Sequence, residues 1–180
     1  MEMLLLVVVV IIALIVIWYI CTLNKLNRTL VKIEEADSGI DVALTKRYDV
    51  LVKMMDTVKA YAKHEKETLF EVINLRKGMT LDEKNAANAK MSANLEKINL
   101  VVENYPELKS SDNYKMLQQS VIEVEEHLQA ARRMYNSNVS IFNQMIVSFP
   151  TSIIANSKKM VKKTFFEAEE TKKKDVKIQL

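Results

Sequence analysis

Residues 4–20 read Leu-Leu-Leu-Val-Val-Val-Val-Ile-Ile-Ala-Leu-Ile-Val-Ile-Trp-Tyr-Ile, and no charged residue interrupts them. A helix that crosses the hydrocarbon core of a bilayer needs about 20 apolar residues. Met3 and residues 21–23 complete that length, and a single span must be helical because a helix satisfies its own backbone polar groups. The sequence therefore predicts a transmembrane anchor at residues 1–23.

A cleaved signal peptide is the alternative interpretation of this stretch. Signal peptides begin with a basic region and end at a small-residue cleavage site. Here the chain begins Met1-Glu2-Met3, and the bulky residues Tyr19 and Ile20 precede Cys21, which fits neither a signal-peptidase site nor a lipoprotein motif. We therefore expect the anchor to be retained.

The flanks of the anchor predict its orientation. Lys25, Arg28 and Lys32 follow the anchor, whereas no Lys or Arg precedes it. Positive flanks stay on the cytoplasmic side, and aromatic residues collect at the interface. The sequence predicts a single-pass plasma-membrane protein with its N-terminus outside and its C-terminal domain in the cytoplasm. The predicted membrane-interface residues are Trp18, Tyr19, Lys25 and Arg28.

The rest of the chain has the composition of an all-α domain. Only two Gly and two Pro occur in 180 residues, too few for many short strands. The net charge of +3 is too small to indicate a nucleic-acid binder. The single cysteine, Cys21, allows no intrachain disulfide. We predict that the transmembrane helix continues into a long helix, followed by an antiparallel bundle of about four helices.

A seam of apolar residues spaced by threes and fours follows the anchor and predicts that its helix continues to Arg76. Three seam positions are polar. A solvent-directed side chain is favoured for Asp37, whereas burial and exposure both stay open for Arg47 and Glu65. Gly39 is the point at which the helix could bend or end. The membrane-proximal seam comprises Leu23, Leu26, Leu30, Ile33, Ile40 and Leu44.

Further helices are predicted after a break at Gly78. Thr80 and Glu83 have capping-box spacing and start the second helix, residues 81–104. A loop led by Pro106 covers residues 105–111, and a third helix with a regular apolar stripe runs to residue 149, where Pro150 ends it. A last helix covers residues 152–171. The helical domain is thus 24–171, with a membrane-proximal stalk at 24–50 and a flexible basic tail at 172–180.

The last predicted helix is amphipathic and has two interpretations. Ile153, Val161 and Phe165 are apolar, and a lysine cluster occupies residues 158–163. We favour an arrangement in which the apolar residues close the bundle and the lysines are solvated. In the alternative, the basic face lies on an anionic leaflet.

Helix lengths predict that the stalk is uncovered within one chain. If the second helix runs back antiparallel, it ends level with about Lys53, and the third helix then leads away from the membrane. Residues 24–50 would extend roughly 40 Å without an intrachain partner. Since an apolar seam of that length should not stay bare in water, we expect a homo-oligomer in which neighbouring copies cover it. The competing outcome is a bend at Gly39 that folds the segment against its own bundle.

The motifs that would indicate catalysis or metal binding are incomplete. His64 and Glu65 begin a zinc-protease motif, but Thr68 stands where the second His is required. Di-iron bundles need Glu three residues before His, and Tyr61 and Val124 occupy those positions. We therefore expect no enzymatic activity, no cofactor and no metal.

Ordered blocks along the chain resemble the LemA family. They are residues 40–42 (Ile-Asp-Val), 46–49 (Lys-Arg-Tyr-Asp), 57–65 (Thr-Val-Lys-Ala-Tyr-Ala-Lys-His-Glu), 101–109 (Val-Val-Glu-Asn-Tyr-Pro-Glu-Leu-Lys), 131–136 (Ala-Arg-Arg-Met-Tyr-Asn) and 149–155 (Phe-Pro-Thr-Ser-Ile-Ile-Ala). The chain departs from the family pattern at Asp37, where Trp is usual, and at Val52, where Pro is usual. Signature residues without an assigned role are Asp41, Arg47, Asp49, Lys59, Tyr61, His64, Glu65, Arg132, Tyr135, Asn136 and Pro150.

The resemblance implies a bacterial inner-membrane protein with a cytoplasmic helical domain and no established catalytic role. One relative takes part in forming magnetosome membranes, which points to membrane organisation. The first hypothesis is therefore a membrane-anchored scaffold that self-associates and organises or remodels the bacterial inner membrane. The second is an adaptor that presents its bundle surface to a membrane protease or a stress-regulatory partner. The expected partners are the lipid bilayer, further copies of the chain or a membrane protein, and no nucleic acid.

Overall fold

The computed structural model describes residues 1–61, 72–76 and 78–166, and this part of the chain is α-helical without a strand. The prediction of an all-α fold that begins with one long helix is confirmed. In chain order, the helices are α1 (Glu2–Tyr61), α2 (Leu81–Glu103), α3 (Pro106–Ser110), α4 (Asp112–Val147) and α5 (Thr151–Ser157).

Helix α1 begins with the apolar stretch and continues well past it. None of the side chains in that stretch is buried, and the helix is long and apolar enough there to cross a membrane. Gly39 lies inside the helix and does not end it. The predicted continuation to Arg76 is wrong, because residues 72–76 are not helical. His64 and Glu65 lie outside the described residues.

The chain divides into two compact units, and α1 and α4 supply residues to both. Unit 1 comprises Met1–Asp37 and Arg133–Phe165. Unit 2 comprises Ser38–Arg132 and the chain from Phe166 onward.

In unit 1, the middle of α1, around Thr29 and Lys32, packs against the end of α4, and the two helices are antiparallel. The Thr29 hydroxyl lies 3.8 Å from the Met145 sulfur, and the Asn138 amide donates to the Lys32 carbonyl at 3.1 Å. From the first of these contacts on α4 to the second, the α4 residue number rises from 138 to 145 while the α1 residue number falls from 32 to 29, so the two helices run in opposite directions. The buried residues of this unit include Leu26, Ile33, Val139, Phe142, Ile146 and Ile154.

The expectation that no segment of the chain covers the membrane-proximal seam is wrong. In unit 1, Leu26 and Ile33 are buried, and Leu23 and Leu30 are half-buried. In unit 2, Ile40 and Leu44 are buried too. The physical reason is the direction of α4, which returns along α1 and does not lead away from it.

In unit 2, α2 runs parallel to α1, so the predicted antiparallel turn near Gly78 is wrong. Lys84 contacts Asp41, and further along both helices Ser92 contacts Arg47. Residues 62–80 lie between the two helices in the sequence, and a chain of that length is long enough to connect the end of α1 with a position level with Asp41. Gly78 does have the positive φ of a turn residue, 76°. The core cluster of unit 2 comprises Leu51, Met54, Val58, Met91, Ile98, Val102, Leu108 and Tyr114.

The two ends of α2 lie close to where the sequence predicts them, whereas the segment after α2 differs from its predicted structure. The capping box is formed, because Thr80 accepts from the Glu83 backbone and Glu83 accepts from the Thr80 backbone. Residues 105–111 were predicted to be a loop, but five of them form α3 with Pro106 in its first turn. The fully buried Leu108 explains this short helix, because it attaches the segment to the core.

The predicted last helix, residues 152–171, is wrong for residues 158–166, which follow the end of α5 at Ser157, and its residues 167–171 lie outside the described residues. Lys159 has a φ of 52°, and the Met160 backbone donates to the Ala155 carbonyl at 2.9 Å, a hydrogen bond that closes a helix end. Further on, the Asn143 side-chain N–H donates to the Lys163 carbonyl, and the Asn143 side-chain oxygen accepts from the Lys163 backbone N–H, both at 2.8 Å. These two hydrogen bonds replace the backbone hydrogen bonds that Lys163 would make in a helix. The predicted closing residues Ile153, Val161 and Phe165 are exposed, and Ile154 and Ala155 are buried instead.

Candidate functional site

A buried ion pair joins α1 to α2 in unit 2. The Lys84 side chain is only 1% exposed, and its Nζ lies 2.7 Å from Oδ1 of Asp41. Removing an ammonium group from water is costly unless an opposite charge and hydrogen bonds compensate. Asp41 supplies the opposite charge, and its own side chain is 43% exposed, so water still reaches the carboxylate.

Arg47 links three helices with one guanidinium group. It is 7% exposed, its Nη2 contacts Ser92 of α2 at 3.0 Å and Glu125 of α4 at 3.2 Å, and its Nη1 donates to the Asn88 side chain. The alternatives left open for Arg47 are therefore resolved in favour of buried polar contacts. A guanidinium suits this position because its planar fork of donors serves several acceptors at once. We call Asp41, Arg47, Lys84, Asn88, Ser92 and Glu125 the buried polar network.

The buried polar network fixes how α1, α2 and α4 are aligned along their lengths. Its contacts from Lys84 to Asp41 and from Arg47 to Ser92, Asn88 and Glu125 all cross from one helix to another. A shift of any helix by one residue would therefore separate charged partners in a poorly solvated place. The network contains two of the signature residues, Asp41 and Arg47. Sequence reasoning missed Lys84 and Asn88. The signal for them was present, because residues 84, 88, 91, 95, 98 and 102 continue one stripe spaced by fours and threes.

A cavity of about 430 Å³ lies beside the network in unit 2. Asp41 and the exposed signature residue Asp49 line it from α1, and Arg76 lines it from the segment that precedes α2. Arg76 contacts Glu83 at 2.5 Å. The Thr80 backbone N–H, followed by the Arg76 side chain, holds the pKa of the Glu83 carboxyl below its ordinary value. The full lining is Asp41, Leu44, Thr45, Tyr48, Asp49, Leu75, Arg76 and Met79.

The signature residues on α4 contact the segment that follows α5. In unit 1, the buried Tyr135 donates from its hydroxyl to the Thr164 carbonyl at 3.3 Å. In unit 2, the Arg132 guanidinium lies 4.7 Å from the centre of the Phe166 ring. These contacts have packing roles, as expected for Tyr135 from its place on the apolar stripe. Asn136 is half-buried, and Pro150 directly precedes α5.

The remaining signature residues of α1 lie at its end. Lys59 and Tyr61 are exposed, although Tyr61 continues the spacing of the apolar seam three residues after the buried Val58.

A basic groove lies next to the apolar stretch in unit 1. It encloses about 710 Å³, and the exposed side chains of Lys25, Arg28 and Lys32 line it. Trp18 and Tyr19 are partly exposed about two turns earlier on the same helix. The groove is completed by Cys21, Asn24, Thr29, Asn138 and Ile141. The predicted interface residues therefore lie at the end of the apolar stretch and directly after it, along one continuous helix.

These features define a class, an all-α protein whose first helix could span a membrane and whose helical domain is held by a buried polar network. A model of the LemA family matches residues 36–180, so the chain belongs to the LemA family. Protein LemA of Metamycoplasma hominis is 29% identical over 163 residues, which cover 88% of this chain and 74% of that protein. The resemblance inferred from the sequence blocks is thereby confirmed.

Proposed function

We propose that this chain is a membrane-anchored, non-catalytic helical scaffold of the bacterial inner membrane. The observation that carries the proposal is the continuity of α1, from Glu2 through the exposed apolar stretch into the buried seam. Leu26 and Ile33 belong to the packed core of unit 1, and they lie on the same helix as the apolar stretch. A domain attached in this way is held close to the bilayer, with no flexible linker between.

The buried polar network supports a structural role over a catalytic one. Catalytic groups act on a substrate at an accessible site. Arg47 and Lys84 are instead buried against acceptors on neighbouring helices. Their charges serve to align helices. Self-association is not part of this proposal, because the seam offered for it is covered within one chain.

Anchoring and orientation are tested in cells with full-length protein. We expect the chain to resist alkaline extraction from membranes, and a reporter that is active only outside the membrane to be silent when fused after Leu180. Val10→Glu together with Leu14→Glu should release the chain into the soluble fraction. The matched control is Val42→Glu at an exposed position beyond the apolar stretch, which should leave the chain in the membrane. Extraction of the wild type, or an active reporter, would contradict the proposal.

The scaffold role is tested by reconstitution into anionic vesicles. Full-length protein should change vesicle shape in electron micrographs, whereas a peptide of residues 1–23 at equal density should not. Identical vesicles in both preparations would show that the domain does not act on the bilayer.

The adaptor alternative has weaker support. Leu100, Met116 and Ile122 are exposed apolar residues of unit 2, and they are the features that a protein partner could cover. Single exposed apolar residues are ordinary on soluble surfaces, however, and do not by themselves indicate a binding site.

A further inference from the structure

The turn between α4 and α5, with the segment after α5, presents an unusual surface in unit 1. Phe149 is 81% exposed, and three aliphatic side chains near it in sequence, Val147, Ile153 and Val161, are each more than half exposed. Four lysines accompany them, at positions 158, 159, 162 and 163, and all four are exposed. We call these eight residues the turn surface. Large apolar residues interleaved with lysines are a combination typical of segments that lie at a membrane interface.

The contacts of unit 1 place Phe149 near the membrane boundary of α1. An anchor that ends at Leu23 puts Thr29 roughly 9 Å beyond the hydrocarbon core, at 1.5 Å per residue. Met145 contacts Thr29, and α4 runs antiparallel to α1. α4 ends at Val147, two residues past Met145, so its end lies roughly 3 Å closer to the membrane than Thr29 does, about 6 Å beyond the hydrocarbon. Phe149 follows in the turn after α4 and therefore lies at about that level, inside a headgroup layer that is roughly 5–8 Å thick.

The chemistry of the turn surface matches that layer. Aromatic and aliphatic side chains are stabilised at the boundary between headgroups and acyl chains, and lysines are attracted to anionic headgroups. Long lysine side chains also extend their ammonium groups toward phosphate while their stems cover apolar surface. The basic groove residues Lys25, Arg28 and Lys32 add positive charge near the same level.

We propose that the turn surface docks into the headgroup layer of the leaflet that α1 enters, with Phe149 and Ile153 inserted and the four lysines on anionic phosphates. This inference rests on the proposed function, since it requires α1 to span the bilayer. The domain then contacts the membrane at two points, its anchor and the end of α4. Insertion into one leaflet expands that leaflet relative to the other, which is a physical route to membrane remodelling.

The native chain contains one tryptophan, Trp18, which makes a fluorescence test direct. Full-length protein is reconstituted into vesicles of phosphatidylglycerol brominated high on the acyl chains, because bromine quenches only nearby indole. Three proteins are compared. They are the wild type, which reports on Trp18, and two Trp18→Phe variants that carry either Phe149→Trp or Met134→Trp. Position 134 is the matched control, because it is an exposed site on α4 that lies roughly 20 Å from the turn, on the side away from the membrane.

We expect bromine to quench the indole at 149 to a degree comparable with Trp18, and to leave the indole at 134 unquenched. Quenching of Trp18 without quenching at 149 would overturn the docking and leave the anchor standing. An unquenched Trp18 would overturn the proposed anchor and the docking with it. A blue-shifted but unquenched indole at 149 would show that protein, such as a second copy, covers the surface, which also overturns the proposal.

The role of the lysines is tested separately. In brominated phosphatidylglycerol vesicles, replacing the four lysines by Gln should reduce quenching of the indole at 149. The protein that keeps the four lysines should likewise be quenched less in brominated phosphatidylcholine, which has no net charge, than in brominated phosphatidylglycerol. Equal quenching in all these combinations would show that the lysines do not contact phosphate, and would contradict that part of the proposal.

Discussion

At the residue scale, the most informative side chains are the charged ones that the helices bury. Arg47 was recognisable as a polar residue on an apolar seam, but its partners were not. Its contacts with Ser92 and Glu125 depend on which helices lie beside α1 and in which direction they run. A periodic pattern on one helix carries no such information. Lys84 lies on the periodic stripe of α2, but a lysine is rarely buried unless it is paired, and the sequence of α2 does not reveal its partner on α1.

The pair of Asp41 and Lys84 predicts an asymmetry between its two members. Asp41→Asn removes a carboxylate from an almost fully buried ammonium, so we expect a loss of about 2 kcal/mol in the free energy of unfolding, somewhat less than a fully buried pair would lose. Lys84→Met leaves a carboxylate that water can reach and supplies apolar volume, so its cost should be about 1 kcal/mol or less.

Chemical denaturation of the full-length protein in detergent, followed by circular dichroism, measures both changes. Asp49→Asn is the matched control, because Asp49 is an exposed acid two turns further along α1, and its effect should stay within about 0.5 kcal/mol. A larger loss for Lys84→Met than for Asp41→Asn would contradict the account.

At the element scale, helix starts were predictable and helix ends were less so. The capping box at Thr80 is local chemistry, and a local pattern reveals it. The end of α5 has no such signal, because Lys159 occupies a left-handed position that usually holds glycine. The contact that holds the following segment comes from Asn143, twenty residues earlier in the chain. Amphipathic spacing alone therefore predicted a helix where the tertiary contact favours an extended segment.

The cap of α2 predicts a dependence on acid. The Thr80 backbone N–H and Arg76 lower the pKa of Glu83 in the folded state, so the folded chain binds this proton less readily than the unfolded chain. The resulting stabilisation is present above the ordinary pKa of 4.5 and is lost as pH falls through the lower folded-state pKa. We expect the melting temperature of Glu83→Gln to fall less steeply below pH 4.5 than that of the wild type.

Glu96→Gln is the control for this measurement, because Glu96 is an exposed acid on the same helix and outside the cap. Its melting temperature should follow the wild-type pH profile. Parallel profiles for the wild type and Glu83→Gln would show that the cap contacts do not form in solution.

The covered seam of α1 predicts the effect of a buried charge. Ile33→Asp places a carboxylate in the core of unit 1, and we expect it to cost about 4 kcal/mol or more. Val31→Asp is the matched control on an exposed face two residues away, and it should change stability by less than about 0.5 kcal/mol. Thermal unfolding of both full-length variants in detergent compares them. Equal melting temperatures would mean that one chain leaves the seam uncovered.

At the scale of the whole molecule, the helices were predictable and their directions were not. An apolar stripe packs equally well against a parallel and an antiparallel neighbour, so periodicity cannot choose between them. The assumption of a tight turn at Gly78 selected the wrong direction for α2, and that error carried over to α4. The uncovered stalk followed from this one choice, so the homo-oligomer loses the argument from which it was inferred and stays a prediction. The contacts at Lys32 and Thr29 show the opposite course for α4.

The direction of α4 along α1 is the central claim, because both the covered seam and the membrane-level turn surface depend on it. The most direct measurement is the distance between spin labels on Lys32→Cys and Asn138→Cys in a Cys21→Ser background, with full-length protein in nanodiscs. The Asn138 amide contacts the Lys32 carbonyl at 3.1 Å, so we predict a short distance that persists when labelled protein is diluted with unlabelled protein. A third helix that led away from the membrane would place the labels roughly 70 Å apart at 1.5 Å per residue. Such a long distance, or a short one that dilution abolishes, would contradict the account.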